Sequence, residues 1–165
     1  AWYKNRKAVL RSFVHAYTSL PSLNLKLVLV GPKPQNEELD GYLTNWIKSN
    51  PSAIYNLQNL SENTLGELYK YAQTLIFPSF IEGFGWPPLE AAVRGCKVIT
   101  TRTGAISDLL GNYPIYVNSE NQESIDQGVL KALQLSRSNQ RAISLPSNED
   151  CRRQYIDLYK KLIEN

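Results

Sequence analysis

Hydrophobic positions along this chain switch repeatedly between two periods. Val9, Leu10, Phe13, Val14, Tyr17 and Leu20 recur at helical spacing and predict a first helix over about residues 5–19. Leu25–Val30 (LKLVLV) is an aliphatic, β-branched-rich run stopped by Gly31-Pro32, and it reads as a strand. Leu39, Leu43, Trp46 and Ile47 form the apolar face of a second helix over about 37–49, followed by a short strand at Ala53–Leu57. Ser61 is a good N-cap for a helix over about 62–73, and Thr74–Phe77 (TLIF) then reads as a buried strand. Pro87 and Pro88 open the next helix, where a missing N–H costs least, and Gly95 closes it. Lys97–Thr101 and Ile115–Val117 are the remaining strands. A helix over about 121–135, a polar loop at Ser136–Asn139 and a terminal helix marked by Cys151, Tyr155, Leu158 and Leu162 complete the series.

Strands separated by single helices imply a parallel sheet with helices on both faces, because parallel neighbours need crossover connections. The fold class is therefore α/β, a Rossmann-like three-layer sandwich. One element is missing from that plan. The chain enters its first helix after only the stub Ala1–Asn5, whereas the first strand of a doubly wound sheet lies at its centre. The first central strand is thus expected to be absent from this sequence, leaving LKLVLV and TLIF with unpaired edges.

Bulk composition changes this picture little. The 165 residues suit one domain, and 42% apolar with 20% charged residues is ordinary globular composition. The net charge of +3 is dispersed, with no basic block and interleaved aromatics, which argues against nucleic acid as a partner. Cys96 and Cys151 lack metal-ligand spacing and are expected as reduced, packed thiols; no metal and no cofactor are expected. His15, the single histidine, reads as a helix-boundary residue. No stretch approaches the ~20 apolar residues of a membrane span, and no signal peptide is recognisable. The chain contains no methionine, for which a larger parent protein is the simplest explanation.

The chemistry is concentrated in Phe77–Thr101, FPSFIEGFGWPPLEAAVRGCKVITT: a strand end, a glycine-rich loop, a proline-started helix, a glycine stop and another strand. Ligands of open α/β sheets bind outside the carboxyl ends of the strands. Gly83 and Gly85 allow a close backbone approach, and the helix near Pro87 is expected to point free N–H groups and its positive dipole end at the same crevice. Glu82 precedes the glycines and Glu90 lies about one turn into the helix, with seven residues between them. A glutamate near a helix N-terminus also has a purely electrostatic explanation, worth about 0.3–1 kcal/mol.

This stretch resembles the EGFG-x-P-x-x-E signature of glycosyltransferase family 4 (group 1), the E-x7-E motif of the GT-B fold. Weaker likenesses flank it. Lys4-Asn5 is similar to the family's "KN" segment, Leu27–Gly31 to its "LVIVG" strand, and Glu67–Ala72 to "ELxxLYxxA". Thr101–Gly111 is similar to its "T…G…LPE…G" loop, with Asp108 in place of the usual Glu. The resemblance implies the C-terminal, donor-binding domain of a retaining glycosyltransferase that moves a hexosyl group from a UDP- or GDP-linked sugar to a glycan or lipid acceptor. It implies that Glu82 contacts hydroxyls of the transferred sugar, and that the backbone of Gly83, Phe84 and Gly85 lines that site. Glu90 would accept from both ribose hydroxyls, and Lys4 would neutralise the diphosphate.

The family usually carries an arginine several residues before that lysine, a position this chain does not reach; Arg6 and Lys7 are the nearest cations. Gly31 either passes close to the nucleotide or only ends its strand, and the loop Asn56–Ser61, through Leu57, either flanks the base or is an ordinary turn. Trp86 is expected to pack on its helix, and Tyr155 and Tyr159 to be surface packing.

No DxD motif appears, in keeping with a metal-independent site, and Glu82 is not assigned as a nucleophile. The resemblance further implies a missing N-terminal acceptor-binding domain of the same polypeptide and an isolated domain of little activity. It implies a role in polysaccharide biosynthesis and a cytoplasmic site, with peripheral membrane association through the missing half. Two rival readings are a nucleotide-sugar epimerase of related fold and a non-catalytic nucleotide-sugar-binding module.

Overall fold

The computed structural model describes residues 2–32, 39–136, 142–144, 149, 152, 153 and 156. Along them run helix α1 (Arg6–Ser19), strand β1 (Leu27–Val30), α2 (Gly41–Ser49), β2 (Ile54–Leu57), α3 (Glu62–Tyr71) and β3 (Thr74–Phe77). There follow α4 (Trp86–Val93), β4 (Lys97–Thr100), α5 (Ile106–Leu110), β5 (Ile115–Tyr116) and α6 (Gln122–Gln134). Short 3-10 turns at Trp2–Lys4 and Pro21–Leu23 flank α1.

The expected alternation holds, and its boundaries are set by capping. Asp40 accepts a hydrogen bond from the Leu43 amide at 2.9 Å, so α2 starts at Gly41 and Leu39 stays outside the helix. Ser61 caps α3 as expected, accepting from the Thr64 amide at 3.1 Å, and Asn121 caps α6 in the same way at 3.0 Å. Helix α5 is not foreseen by periodicity, since five residues are too few to show it. Of the terminal helix, Arg152, Arg153 and Ile156 are helical, while Cys151, Tyr155, Leu158, Tyr159 and Leu162 lie outside the described residues.

All strand pairs are parallel. Leu27–Val30 runs beside Ile54–Leu57, Thr74–Phe77 beside Lys97–Thr100, and Ile99-Thr100 beside Ile115-Tyr116. The ladders form two groups, β1-β2 and β3-β4-β5, and no ladder joins β1 to β3 among the described residues. β4, paired on both sides, is buried throughout, whereas Val28 and Val30 of β1 are 39% and 49% exposed.

Helix α1 lies across the division. Its Val9, Leu10, Phe13 and Val14 join a core with Leu27, Leu43 and Ala53 on the β1-β2 side. Ala8 and Ala16 join a second core with Ile99, Val117, Ile125 and Val129. A third core, built on Leu89, Ala91, Ala92, Cys96, Val98 and Ile106, packs α4 and α5 against β4. Cys96 is fully buried in this core, with Sγ directed at the carbonyls of Ala72 and Lys97.

Lys97 is a charged residue buried in the interior, at 1% exposure. Its ammonium donates to the carbonyls of Ala132 and Leu135, closing the C-terminal end of α6 where backbone acceptors have no helical partner. Replacing Lys97 by Met keeps the stem and removes these donors. Unsatisfied buried acceptors cost about 1–3 kcal/mol each, so Lys97→Met should lower stability by about 2 kcal/mol. Urea unfolding reads this as a lower midpoint at unchanged m, and an unmoved midpoint would contradict it.

Candidate functional site at the carboxyl edge

Parallel strands bring all their carboxyl ends to one edge. Gly31 follows β1 there, Leu57 ends β2, the loop Pro78–Gly85 leaves β3, and Thr101–Ala105 leaves β4. Helix α1 begins at the same edge. The Phe80 amide donates to the Tyr3 carbonyl at 2.8 Å, and Asn5, in the left-handed conformation (φ 51°), donates from Nδ2 to the Ser119 carbonyl at 2.8 Å. Lys4 therefore sits between two anchored residues, exposed, beside the loop that carries Glu82.

Two loops meet at van der Waals limits. The Ala105 amide donates to the Gly83 carbonyl at 3.0 Å. A Cβ on Gly104 (φ 56°) would lie 2.2 Å from the Glu82 carbonyl oxygen and 2.3 Å from that of Gly83. A Cβ on Gly85 (φ 85°) would lie 2.4 Å from Ile106 Cγ1. Only glycine meets both the dihedral and the space requirement at these positions. Under the loop, Ser79 is fully buried and donates from Oγ to Glu82 Oε1 at 3.0 Å. Thr101 Oγ1 donates to the Ser79 carbonyl at 2.7 Å and lies 3.3 Å from Thr103 Oγ1. Because the single Thr101 hydroxyl proton is already committed, Thr103 is the donor in that second contact.

The proposed site residues fall into three places. Glu82 is half-buried beside Gly83, Phe84 and the buried Gly85. Glu90, also half-buried, lies on α4 near the hydroxyl of Tyr69 from α3. The Tyr69 hydroxyl is held far above the usual phenol range, first by burial and then by the Glu90 charge. Gly31 and Leu57 meet on the other sheet, where the Gly31 amide donates to the Leu57 carbonyl at 2.9 Å. Gly31 (φ 116°) has open space where a side chain would be, so an approaching ligand meets no obstacle there.

Three expectations change. Helix α4 begins at Trp86, one residue earlier than expected, with Gly85 as its cap. Its second and third residues are the prolines, which have no N–H, so donors facing the crevice come from the loop and Trp86 rather than from a full helical turn. Trp86 does not pack on its helix; it is 62% exposed and stacks with Phe84 at 4.5 Å between ring centroids. Finally, Lys7 faces Asp40 at 3.9 Å, while Arg6 donates to Asn56 Oδ1 at 3.1 Å beside Leu57. Of the two cations nearest Lys4 in sequence, Arg6 is the one bonded to β2 near its carboxyl end.

Comparison with known proteins decides the family. The model for glycosyl transferases group 1 matches residues 2–145. The chain belongs to this family.

This group 1 glycosyltransferase is 26% identical over 169 positions to O-antigen chain mannosyltransferase B of Escherichia coli, covering 93% of this chain and 42% of that protein. It is 35% identical over 79 residues to the O-antigen chain mannosyltransferase RfbU of Salmonella typhimurium, covering 48% of this chain and 22% of that protein. It thus spans less than half the length of these relatives. The C-terminal domain of a group 1 glycosyl transferase, LpcC, from Francisella tularensis superposes with a TM-score of 0.68 at 20% identity, over 83% of this chain and 72% of that chain. The fold is that of the GT-B glycosyltransferases, α/β and Rossmann-like. Among the described residues, no helix is long and apolar enough to cross a membrane.

Sequence reasoning missed Ser79, Thr101, Thr103 and Tyr69 as contributors to the geometry of this candidate site. Their contacts join residues more than 20 positions apart or depend on a loop bend, which linear periodicity does not encode. The signal available for Gly104 was a glycine directly after Thr101–Thr103 in the loop facing the E-x7-E segment. Gly104→Ala should displace residues 82–85, because both contacts it creates are with rigid backbone. A positive-φ alanine and a backbone clash together cost about 1–3 kcal/mol or more. The expected result is a lower melting temperature together with amide shift changes confined to residues 79–86 and 101–106. Unaltered shifts in the 79–86 loop would show that the contact is not tight.

Proposed function

We propose that this chain is the nucleotide-sugar-binding half of a retaining hexosyltransferase, taking a UDP- or GDP-linked donor and serving a glycan or lipid acceptor. The observation that carries the reading is the loop joining Glu82 to Glu90 at the carboxyl edge of a parallel sheet, flanked by the Lys4 segment. The names of the two relatives above support mannose as the transferred sugar and polysaccharide assembly as the setting. Cleavage of a glycosyl–phosphate bond develops negative charge on the diphosphate and positive charge on the sugar carbon. Lys4 and the loop N–H groups stabilise the first, and groups placed in advance act without reorganisation. Glu82 receives sugar hydroxyls and Glu90 the ribose hydroxyls, since a carboxylate is an all-acceptor group. Donor and acceptor then react on one face of the sugar, which gives retention without a carboxylate nucleophile.

The working enzyme, in this proposal, includes an acceptor-binding domain preceding this one, and the isolated chain transfers little. Two features support a longer polypeptide. The chain spans 42% of one relative's length. The bond from Phe80 to Tyr3 also sets residue 3 at the carboxyl end of β3, so a strand leading into α1 would run parallel between β3 and β1. We assign the enzyme to the cytoplasm, with any membrane attachment carried by the preceding half.

The decisive experiment is titration of UDP, GDP and their hexose conjugates against the intact protein, with binding and transfer both read. Nucleotide should map to the 83–90 crevice; mapping to the opposite edge of the sheet would remove the reading. Glu90→Gln preserves volume and removes charge from hydrogen bonds worth about 1.5–3 kcal/mol when one partner is ionised. It should weaken nucleotide binding at least tenfold with little loss of stability. Unchanged affinity would reduce Glu90 to a helix-dipole residue.

A further inference from the structure

Glu82 is a flexible side chain on a loop, half-buried at the edge of a crevice. Left to itself, such a carboxylate samples several rotamers, and fixing one costs side-chain entropy. Here the rotamer is fixed from beneath. Ser79 has no exposed surface, and its hydroxyl donates to Oε1 at 3.0 Å. The Ser79 backbone is fixed in turn, because its carbonyl accepts from Thr101 Oγ1 at 2.7 Å and Thr103 donates onward to Thr101. The far side of the same loop is closed by Gly104, which touches the Glu82 and Gly83 carbonyls. Loop and side chain are thereby held by separate contacts.

We infer that Ser79 is a positioning residue for Glu82: its buried hydroxyl holds Oε1, so that Oε2 is presented to the hydroxyls of the transferred sugar. The inference rests on the proposed role of Glu82 in sugar binding. It is a claim about one oxygen atom. A carboxylate has about four acceptor directions, and Ser79 occupies one on Oε1. Among the described residues Oε2 has no protein partner. The serine contributes a donor and nothing else, since a larger side chain has no room in a fully buried position and an apolar one has no proton to give.

The test uses the intact protein and compares the affinity of GDP with that of GDP-mannose, and of UDP with UDP-glucose. The ratio within the pair that binds isolates the contribution of the sugar. Ser79→Ala should reduce that ratio about tenfold, the size expected for losing a hydrogen bond to a charged group. The affinity for the nucleotide diphosphate alone should fall less than twofold. Ser79→Cys keeps the volume with a weak donor and should behave like the alanine variant. In a Glu82→Gln background, Ser79→Ala should cost little further, because the two changes act on one interaction.

A merely structural serine gives different results. Recovery with cysteine, equal losses for diphosphate and nucleotide sugar, or full additivity with Glu82→Gln would each overturn the inference. So would a crystal structure of Ser79→Ala with the Glu82 carboxylate unmoved. If the wild-type protein binds neither nucleotide nor nucleotide sugar, the proposed function itself falls, and this inference with it.

Discussion

Leu10, Phe13 and Val14 of α1 are buried against Leu27 of β1 and Leu43 of α2, while Ala8 and Ala16 of the same helix are buried against Ile99 of β4 and Val129 of α6. With no hydrogen-bond ladder between β1 and β3 among the described residues, this packing ties one sheet to the other. Each large side chain so buried contributes about 1.5–3 kcal/mol. The apolar contact alone would allow α1 to slide, and a polar lock prevents it. Ser12 donates to the Asp126 carboxylate, and Gln122 donates to Ser12 Oγ and Asp126 Oδ1, each at 2.8 Å. Satisfied buried networks of this kind specify one arrangement of helices. The position of Lys4 at the crevice follows directly, since it is two residues before Arg6, where α1 begins.

Close backbone approach is the second constraint, and it acts locally. The β3 and β4 loops are joined by an amide bond, a threonine relay and the space left by Gly104. Such contacts tolerate no added atom, because the partners are carbonyl oxygens rather than mobile side chains. The loop holding Glu82 is therefore rigid in the sense that matters for binding: its carboxylate and turn are set before a ligand arrives. Pre-set groups spare the entropy that a mobile loop would lose on binding.

How much of this was legible in the sequence depended on whether the cause was local. Thr74–Phe77 was placed to the residue, because an apolar run bounded by Gln73 and Pro78 admits no other register. Ser61 was identified as a cap because its hydroxyl acts on an amide three residues away. The parallel α/β plan was legible from the order of elements, and the parallel ladders agree with it. The start of α2 was misjudged because Leu39 carries the helical period although Asp40, one residue later, is the cap. Trp86 was misjudged because hydrophobicity predicts burial in general, whereas at the exposed start of α4 its ring lies against Phe84. Ser79, Tyr69 and the Thr101–Thr103 relay depend on which loops and helices meet in space, and no period in the chain records that.

The paired prolines bear on how a diphosphate would be held. A helix start ordinarily offers several free N–H groups to an anion, but in α4 the residues after Trp86 are Pro87 and Pro88, and the Leu89 amide is already bonded to Gly85. What α4 retains is its dipole, worth about 0.3–1 kcal/mol at an exposed end. A full cationic charge about 4 Å from an anion near a protein surface is worth roughly 4 kcal/mol before desolvation. The larger share of anion stabilisation in this site must therefore come from cations, and Lys4 and Arg6 are those the fold brings to this edge from the start of α1. Arg6 is held at this edge by its hydrogen bond to Asn56 Oδ1. In the proposed function, phosphate binding would be coupled to the seating of α1, and sugar binding to the loop after β3. The bond between Tyr3 and Phe80 is where the two are joined.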